Sequence, residues 1–354
     1  MSTEKGQSQG QWRLISEVIK KGICVKCGAC VGLCPYFSYY DGQVVVTDRC
    51  NAETWRCVQI CPRIPYDKES LYGLIHGEPQ GKDPIGPYLK VIAARSTDPE
   101  IRQRAQYGGV ITALLVHALE LGLIDSAVLT DKGNGLAPRG VLCGDREAIV
   151  RCSGSRYTAS GALEQLNVAL NQGKGKLAFV GLPCQMEALA RMEASEPDGK
   201  ERAEHVAFRL GLFCTWALDY RSLREYLKAK GISGKPKRFD IPPPPSEVFV
   251  LEMEGERKEY PLSELREMVQ EGCKLCEDMT AEFADISVGT LEGEEGWNTV
   301  VVRTKRGMDL FERVLGNGAL EQKQIPKANL EHLKDAANNK RLRAQQANEE
   351  RDNG

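Results

Sequence analysis

The 354 residues, 42% hydrophobic and 27% charged, have the composition of a globular chain long enough for two or three domains. With 47 Lys and Arg against 49 Asp and Glu, the net charge of −2 offers no broad basic field for nucleic acid. A mean hydropathy of −0.37, interrupted apolar runs and a polar start (MSTEKGQSQGQW) argue against a spanning helix or an export signal, so a cytoplasmic setting is expected, at most peripheral to a membrane complex.

In chain order, residues 14–20 read as a short helix within a lead-in. A cysteine-dense segment follows to about residue 66, and the Gly/Pro-rich stretch HGEPQGKDPIGPY (76–88) reads as a linker. From Leu89 the pattern alternates between strands and amphipathic helices. Residues 110–123 carry apolar side chains at helical spacing, and 124–129, 176–180 and 206–213 read as buried strands. Helices are expected at 187–193 and 220–230. The run IPPPP (241–245) marks a turn or a subdomain edge, because proline cannot continue a helix or a central strand. Strands are expected again at 249–253, 284–288 and 298–303, the last two flanking a Gly/Glu-rich loop. The pattern predicts an α/β domain with a mostly parallel sheet.

Four divisions follow: a cysteine-dense domain (1–75), the linker (76–88), an α/β domain (89–325) and a polar tail (326–354). The tail is expected to be a frayed helix running into disorder. In fold class this is an α+β dicluster segment followed by an α/β domain.

Cysteine carries the chemistry. Thirteen cysteines, an odd number in a chain without an export signal, do not fit a disulfide framework, and seven of them lie between Cys24 and Cys61. Cys24-x2-Cys27-x2-Cys30-x3-Cys34-Pro35 is the full bacterial ferredoxin signature. Three thiolates wrap one cubane within a tight loop, while the fourth turns away to the neighbouring cluster. Zinc sites use separated cysteine pairs instead. The second half, Cys50-x6-Cys57-x3-Cys61-Pro62, lacks one cysteine, since Asn51 and Thr54 stand at the usual spacings. Under the usual crossover Cys24, Cys27, Cys30 and Cys61 complete one [4Fe–4S] cluster. Cys34, Cys50 and Cys57 remain for a second site, either [3Fe–4S] or [4Fe–4S] with a non-cysteine fourth ligand.

Outside that segment Cys273-x2-Cys276 has half-site spacing, and Cys184 and Cys214 each follow a strand. Strand ends converge at one edge of a parallel sheet, so these four could meet as a third cluster or remain inert buried thiols. Cys143 and Cys152 have no partner at metal spacing and read as structural. The chain has neither GxGxxG after a strand nor a P-loop. Gln106, Tyr107, Gly108 and Gly109 open a helix where backbone N–H groups could approach an anion. Ser153, Gly154, Ser155, Arg156 and Tyr157 offer hydroxyls, a guanidinium and a ring; a helix cap and a plain loop would look the same. No nucleophile, triad or paired carboxylates stand out as catalytic residues.

The blocks QYGGVITALLVHALELGLIDSAV, CSGSRY, VGLPCQ, GLFC, EGCKLCEDMTAEFADISVG and GWNTVVVRTKRG occur in an order that resembles the beta subunits of coenzyme F420-dependent hydrogenases, formate dehydrogenases and F420H2 dehydrogenases. The similarity runs from about residue 20 to about residue 315. It implies an FAD-containing subunit whose catalytic domain holds a [4Fe–4S] cluster on Cys184, Cys214, Cys273 and Cys276. It also implies FAD contacts from the 106–109 and 153–157 stretches. The incomplete second ferredoxin half departs from the eight-cysteine pattern of the longer members.

Residues and resemblance together predict hydride exchange between coenzyme F420 and FAD, with single electrons passed through the clusters. The same family is similar to ferredoxin-dependent 7-hydroxymethyl chlorophyll a reductases, which would reverse the electron flow. A flavin-free conducting subunit is the third possibility. Expected partners are catalytic subunits of a hydrogenase, formate dehydrogenase, disulfide reductase or membrane redox complex, or a ferredoxin. The charged tail and Glu292, Glu294 and Glu295 are candidate docking surfaces, although solvated surface is the commoner explanation of such charges.

Overall fold

In the computed structural model, which describes residues 10–353 except 51, 53, 54, 132–136, 233–235 and 244, the cysteine-dense segment folds around a hairpin. A helical turn (Gln11–Leu14) continues as a π-helical turn (Ile15–Ile19), matching the expected helix. Strand β1 (Phe37–Tyr40) then pairs antiparallel with β2 (Gln43–Val46) across Asp41 and Gly42. Their φ values of 46° and 73° are the positive ones a two-residue hairpin turn requires. A Cβ on Gly42 would fall 2.7 Å from the Tyr220 ring, so the bare tip lies flat against the helix Tyr220–Ala229.

The remaining strands are β3 (Lys90–Ser96), β4 (Ser126–Asp131), β5 (Arg139–Cys143), β6 (Leu177–Gly181), β7 (Val206–Leu212), β8 (Arg238–Asp240), β9 (Val248–Glu252), β10 (Arg257–Pro261), β11 (Ile286–Thr290), β12 (Asn298–Val302) and β13 (Leu320–Lys323). Eight form one sheet in the order β13-β3-β12-β11-β7-β6-β4-β5, and β10-β9-β8 form a separate sheet. The expectation of a mostly parallel sheet is corrected. Only β4, β6, β7 and β11 run parallel. On one flank β12, β3 and β13 pair antiparallel, and on the other so does β5. Loop length is the cause: a parallel return needs a crossover of about a dozen residues or more, and β11 ends at Thr290 shortly before β12 opens at Asn298.

Side-chain alternation divides the core into two layers. Ala127, Leu129, Ala178 and Val180 face the helices Val110–Glu120 and Lys305–Gly316. Val128, Leu177 and Phe179 face the helices Ala162–Asn171 and Pro183–Glu193. Val25, Cys27, Ala29, Leu33 and Ile60 pack into that second layer. The cysteine-dense segment therefore shares a core with the α/β domain. The 76–88 stretch is irregular but tied down, with Ile85 fully buried.

Arg303 pins that stretch to the sheet. Its guanidinium, 3% exposed, donates to Ile85 O and Pro87 O (both 2.8 Å), Thr280 O (3.0 Å), Thr280 Oγ1 (2.9 Å) and Ser287 Oγ (2.6 Å). Arg303→Met strips partners from several buried carbonyls at once. It is expected to lower the unfolding free energy by at least about 3 kcal/mol, read as a fall in the thermal midpoint. An unchanged midpoint would show the pin to be dispensable.

The expected disordered tail is also corrected: Lys327–Asn353 is one helix of 27 residues. Leu330, Leu333, Ala337, Lys340, Ala344 and Ala347 recur every three or four residues, the spacing of one helical stripe. Leu333 and Ala337 pack on Ile85 and Val301, and Ala347 packs against the cysteine-rich core. The acidic loop after β11 holds this helix: Glu292 pairs with His332 at 2.9 Å and accepts from Asn329 at its carbonyl. Among the described residues no helix is long and apolar enough to cross a membrane.

Candidate functional site

The loop from Cys24 to Cys34 follows the π-helical turn, and Gly28 at φ 84° lets it lie on Gly161, whose carbonyl oxygen a Cβ would approach to 2.5 Å. Leu163 N–H and the Gln185 amide both donate to Cys27 O, at 3.3 and 3.5 Å. Cys24, Cys27, Cys30 and Cys61 line one cavity of about 390 Å³, with Leu14, Val18 and Ile60 among its apolar walls. This is the quartet expected for the first cluster.

Cys57, on the short helix Arg56–Gln59, also touches that cavity and interacts electrostatically with Cys34 and Cys50. The three thiols left for the second site are therefore neighbours. Asn51 and Thr54, the positions where a further cysteine would stand, lie outside the described residues.

A second cavity, about 420 Å³, is lined by Cys184, Cys214, Cys273 and Cys276, with Trp216, Leu182 and Pro183. Cys184 enters from the helix after β6, Cys214 follows β7, and the helix Glu271–Lys274 carries Cys273. Segments far apart in sequence thus deliver the quartet that spacing alone left open. Among the described residues no three Cys, His, Asp or Glu groups close on a single metal ion. A zinc ion demands sulfurs about 2.3 Å from one centre, and the described cysteines are not gathered that closely.

Burial pushes these thiols up, Cys61 to about 11 and Cys57 and Cys214 to about 12, with the neighbouring cysteines adding to the effect. The Cys276 thiol donates weakly to Asp278 O at 3.4 Å. Any metal bound here would have to displace such protons, and two cations lie where they could offset thiolate charge. Arg63, directly after Cys61-Pro62, faces Cys61, Cys184, Cys276 and Glu187, and its Nε has no protein partner. Lys340 lines the second cavity from the C-terminal helix.

The two stretches proposed for an anion meet each other. Gly109 caps the helix Val110–Glu120, whose Thr112 Oγ1 lies 3.0 Å from Ser153 Oγ, and Ser155 N–H donates to Gln106 Oε1 at 3.5 Å. Tyr107 is part of this cluster and its phenol is raised by burial. Tyr157 shares Asp240 with Gln106, at 3.4 and 2.5 Å. Arg156 anchors its own loop through Gly154 O and Ser155 O and is in electrostatic range of Asp131, yet its Nε and Nη2 are buried without a hydrogen-bond partner among the described residues. Arg238 on β8 donates to Gln106 O at 3.2 Å, and its Nε is likewise unpartnered. Buried polar groups are normally paired, so these orphan donors fit a diphosphate-bearing group such as the FAD that the family resemblance implies.

Arg238 and Asp240 were missed because they lie beside the IPPPP turn, with no local signal linking them to residue 106. Arg63 had one, its place next to a ligand cysteine. Downstream of the loop, Ala159 and Ser160 line the cavity holding the third quartet, so the anion site and that cavity are joined by one short run of chain. Cys143 and Cys152 sit together in the apolar core, sulfurs 3.8 Å apart, in keeping with a structural role.

Gathered thiols, compensating cations and an adjoining anion cradle place the chain in the redox class of α/β proteins. The comparisons agree. The family described as coenzyme F420 hydrogenase/dehydrogenase, beta subunit, is matched in both its parts, the N-terminal one over residues 91–167 and the C-terminal one over residues 174–328. The coenzyme F420 hydrogenase subunit beta of Methanosarcina barkeri is 33% identical over 277 residues, 76% of this chain and 94% of the relative. The coenzyme F420-dependent sulfite reductase of Methanocaldococcus jannaschii is 31% identical over 85% of this chain, which spans 47% of that longer relative. A chain of the F420-reducing [NiFe] hydrogenase complex from Methanosarcina barkeri superposes with a TM-score of 0.70 at 32% identity, covering 76% of this chain and 94% of its own. The chain belongs to the coenzyme F420 hydrogenase/dehydrogenase beta subunit family and is an oxidoreductase.

Proposed function

We propose that this chain is a cytoplasmic F420-linked subunit that exchanges hydride between coenzyme F420 and FAD and conducts electrons through three iron–sulfur clusters to a catalytic partner subunit. Bound FAD would supply the interchange between two-electron and one-electron carriers. Arg156 and Arg238 would neutralise its diphosphate, Gln106 would fix the loop between them, and Gly108 with Gly109 would bring backbone N–H groups close. The quartet Cys184, Cys214, Cys273 and Cys276 would hold the cluster nearest the flavin. Cys24, Cys27, Cys30 and Cys61 would hold the next, and Cys34, Cys50 and Cys57 would hold the outermost.

The observation that carries this reading is a shared wall: Val25 and Cys27 line both thiol cavities. Two cluster sites separated by one residue layer suit electron passage from one to the other.

Anaerobic titration with reduced F420 tests the proposal, with the F420, flavin and cluster absorbance bands followed separately. Stoichiometric oxidation of F420H2 with bleaching of flavin and clusters is expected. Failure of F420H2 to bleach demonstrably bound flavin, while reduced ferredoxin succeeds, would overturn F420 as the carrier and make the clusters the entry port.

A further inference from the structure

Lys340 lies beyond the matched family residues, on the helix Lys327–Asn353 whose first two residues close the C-terminal match at 328. Only 5% exposed, its ammonium donates to Cys214 O and to Asp278 O, both at 2.7 Å. Those carbonyls belong to one ligand cysteine and to a residue two beyond another, Cys276. An ammonium has three protons, and the third has no protein acceptor among the described residues although Lys340 lines the cavity with all four cysteines. Burying a lysine is costly unless it is compensated, and the charges that face this ammonium are the Asp278 carboxylate and the sulfurs of Cys214, Cys273 and Cys276.

We propose that Lys340 is a potential-setting residue for the cluster held by Cys184, Cys214, Cys273 and Cys276, raising its midpoint by stabilising the extra negative charge of the reduced state. This rests on the cluster assignment above. Reduction adds one electron to an already anionic thiolate cluster, and cluster potentials follow net charge, nearby donors and exposure. A fixed cation at the cavity wall favours the reduced form. The C-terminal helix would thus set how readily this cluster accepts an electron from the flavin.

The test is an EPR-monitored potentiometric titration of the full cluster-loaded chain, with the relevant signal identified as the one missing from Cys276→Ser. In Lys340→Gln the one-electron reduction constant is expected to fall at least about tenfold, moving the midpoint about 59 mV more negative. Lys340→Arg, which keeps the charge, should stay near the parent value. If Lys340→Gln does not retain the cluster, Lys340→Met takes its place as the neutral variant. An unchanged midpoint in whichever neutral variant keeps its iron overturns the inference while leaving the cluster assignment intact. Loss of the cluster from both neutral variants also overturns it, reducing Lys340 to a packing role. Absence of any signal dependent on Cys276 in the parent protein defeats the cluster assignment itself.

Discussion

Replacing Cys276 with serine is expected to remove about four irons from each chain, together with one cluster signal, while leaving the N-terminal clusters in place. Cys276 is buried and shares its cavity with Cys184, Cys214 and Cys273, whereas Cys24, Cys27, Cys30 and Cys61 surround a different one. The variant should still let F420H2 bleach the flavin, because the anion cradle of Arg156, Arg238 and Gln106 is untouched. The N-terminal clusters should then no longer bleach with it, since their route from the flavin runs through the emptied site. Iron analysis and absorbance titration read both halves of this result. Full iron content in the variant would mean that this quartet holds no cluster.

Arg156→Gln is expected to weaken flavin retention by about 30-fold to a few thousand-fold, the equivalent of losing about 2–5 kcal/mol from a buried charged contact. Two of the guanidinium nitrogens are buried without protein partners, and burial lowers the affinity of the group for its proton. The Asp131 carboxylate offsets part of this cost, and a bound anion would complete the compensation. Arg156→Lys should recover only part of the loss, because a point charge cannot reproduce the planar fork. Flavin released by acid from natively purified protein measures the effect. Unchanged occupancy in Arg156→Gln would move the flavin elsewhere and restore the reading of this loop as plain surface.

The N-terminal cysteines could be grouped from sequence because a tight loop carries three of the four first-site thiols at fixed spacing, and the chemistry of a cubane dictates that spacing. The central strands were equally legible: LAFV and VAFRLGLF are buried strands of a parallel core and read as apolar runs. The β1–β2 hairpin also had a local signal, Asp41-Gly42 between β-prone residues, that went unused. The C-terminal helix escaped for a different reason. Its stripe is built partly from alanines and a lysine within a strongly polar segment, so its apolar face is visible only against Ile85, Val301 and the cysteine-rich core.

Sequence alone therefore determined what local spacing can encode: a Cys-x2-Cys-x2-Cys-x3-Cys-Pro loop, a second half one cysteine short, and cysteines placed at strand ends. It also carried the family blocks. What only the tertiary structure decided is convergence. Sheet order brings Cys184 and Cys214 beside Cys273 and Cys276, and Gln106 beside Ser155 and Arg238. A shared core sets Cys27 between two cavities, and a helix from the far end of the chain delivers Lys340. Such contacts join residues far apart along the chain, and no periodicity records them. They exist because burying each apolar face leaves the chain few ways to pack.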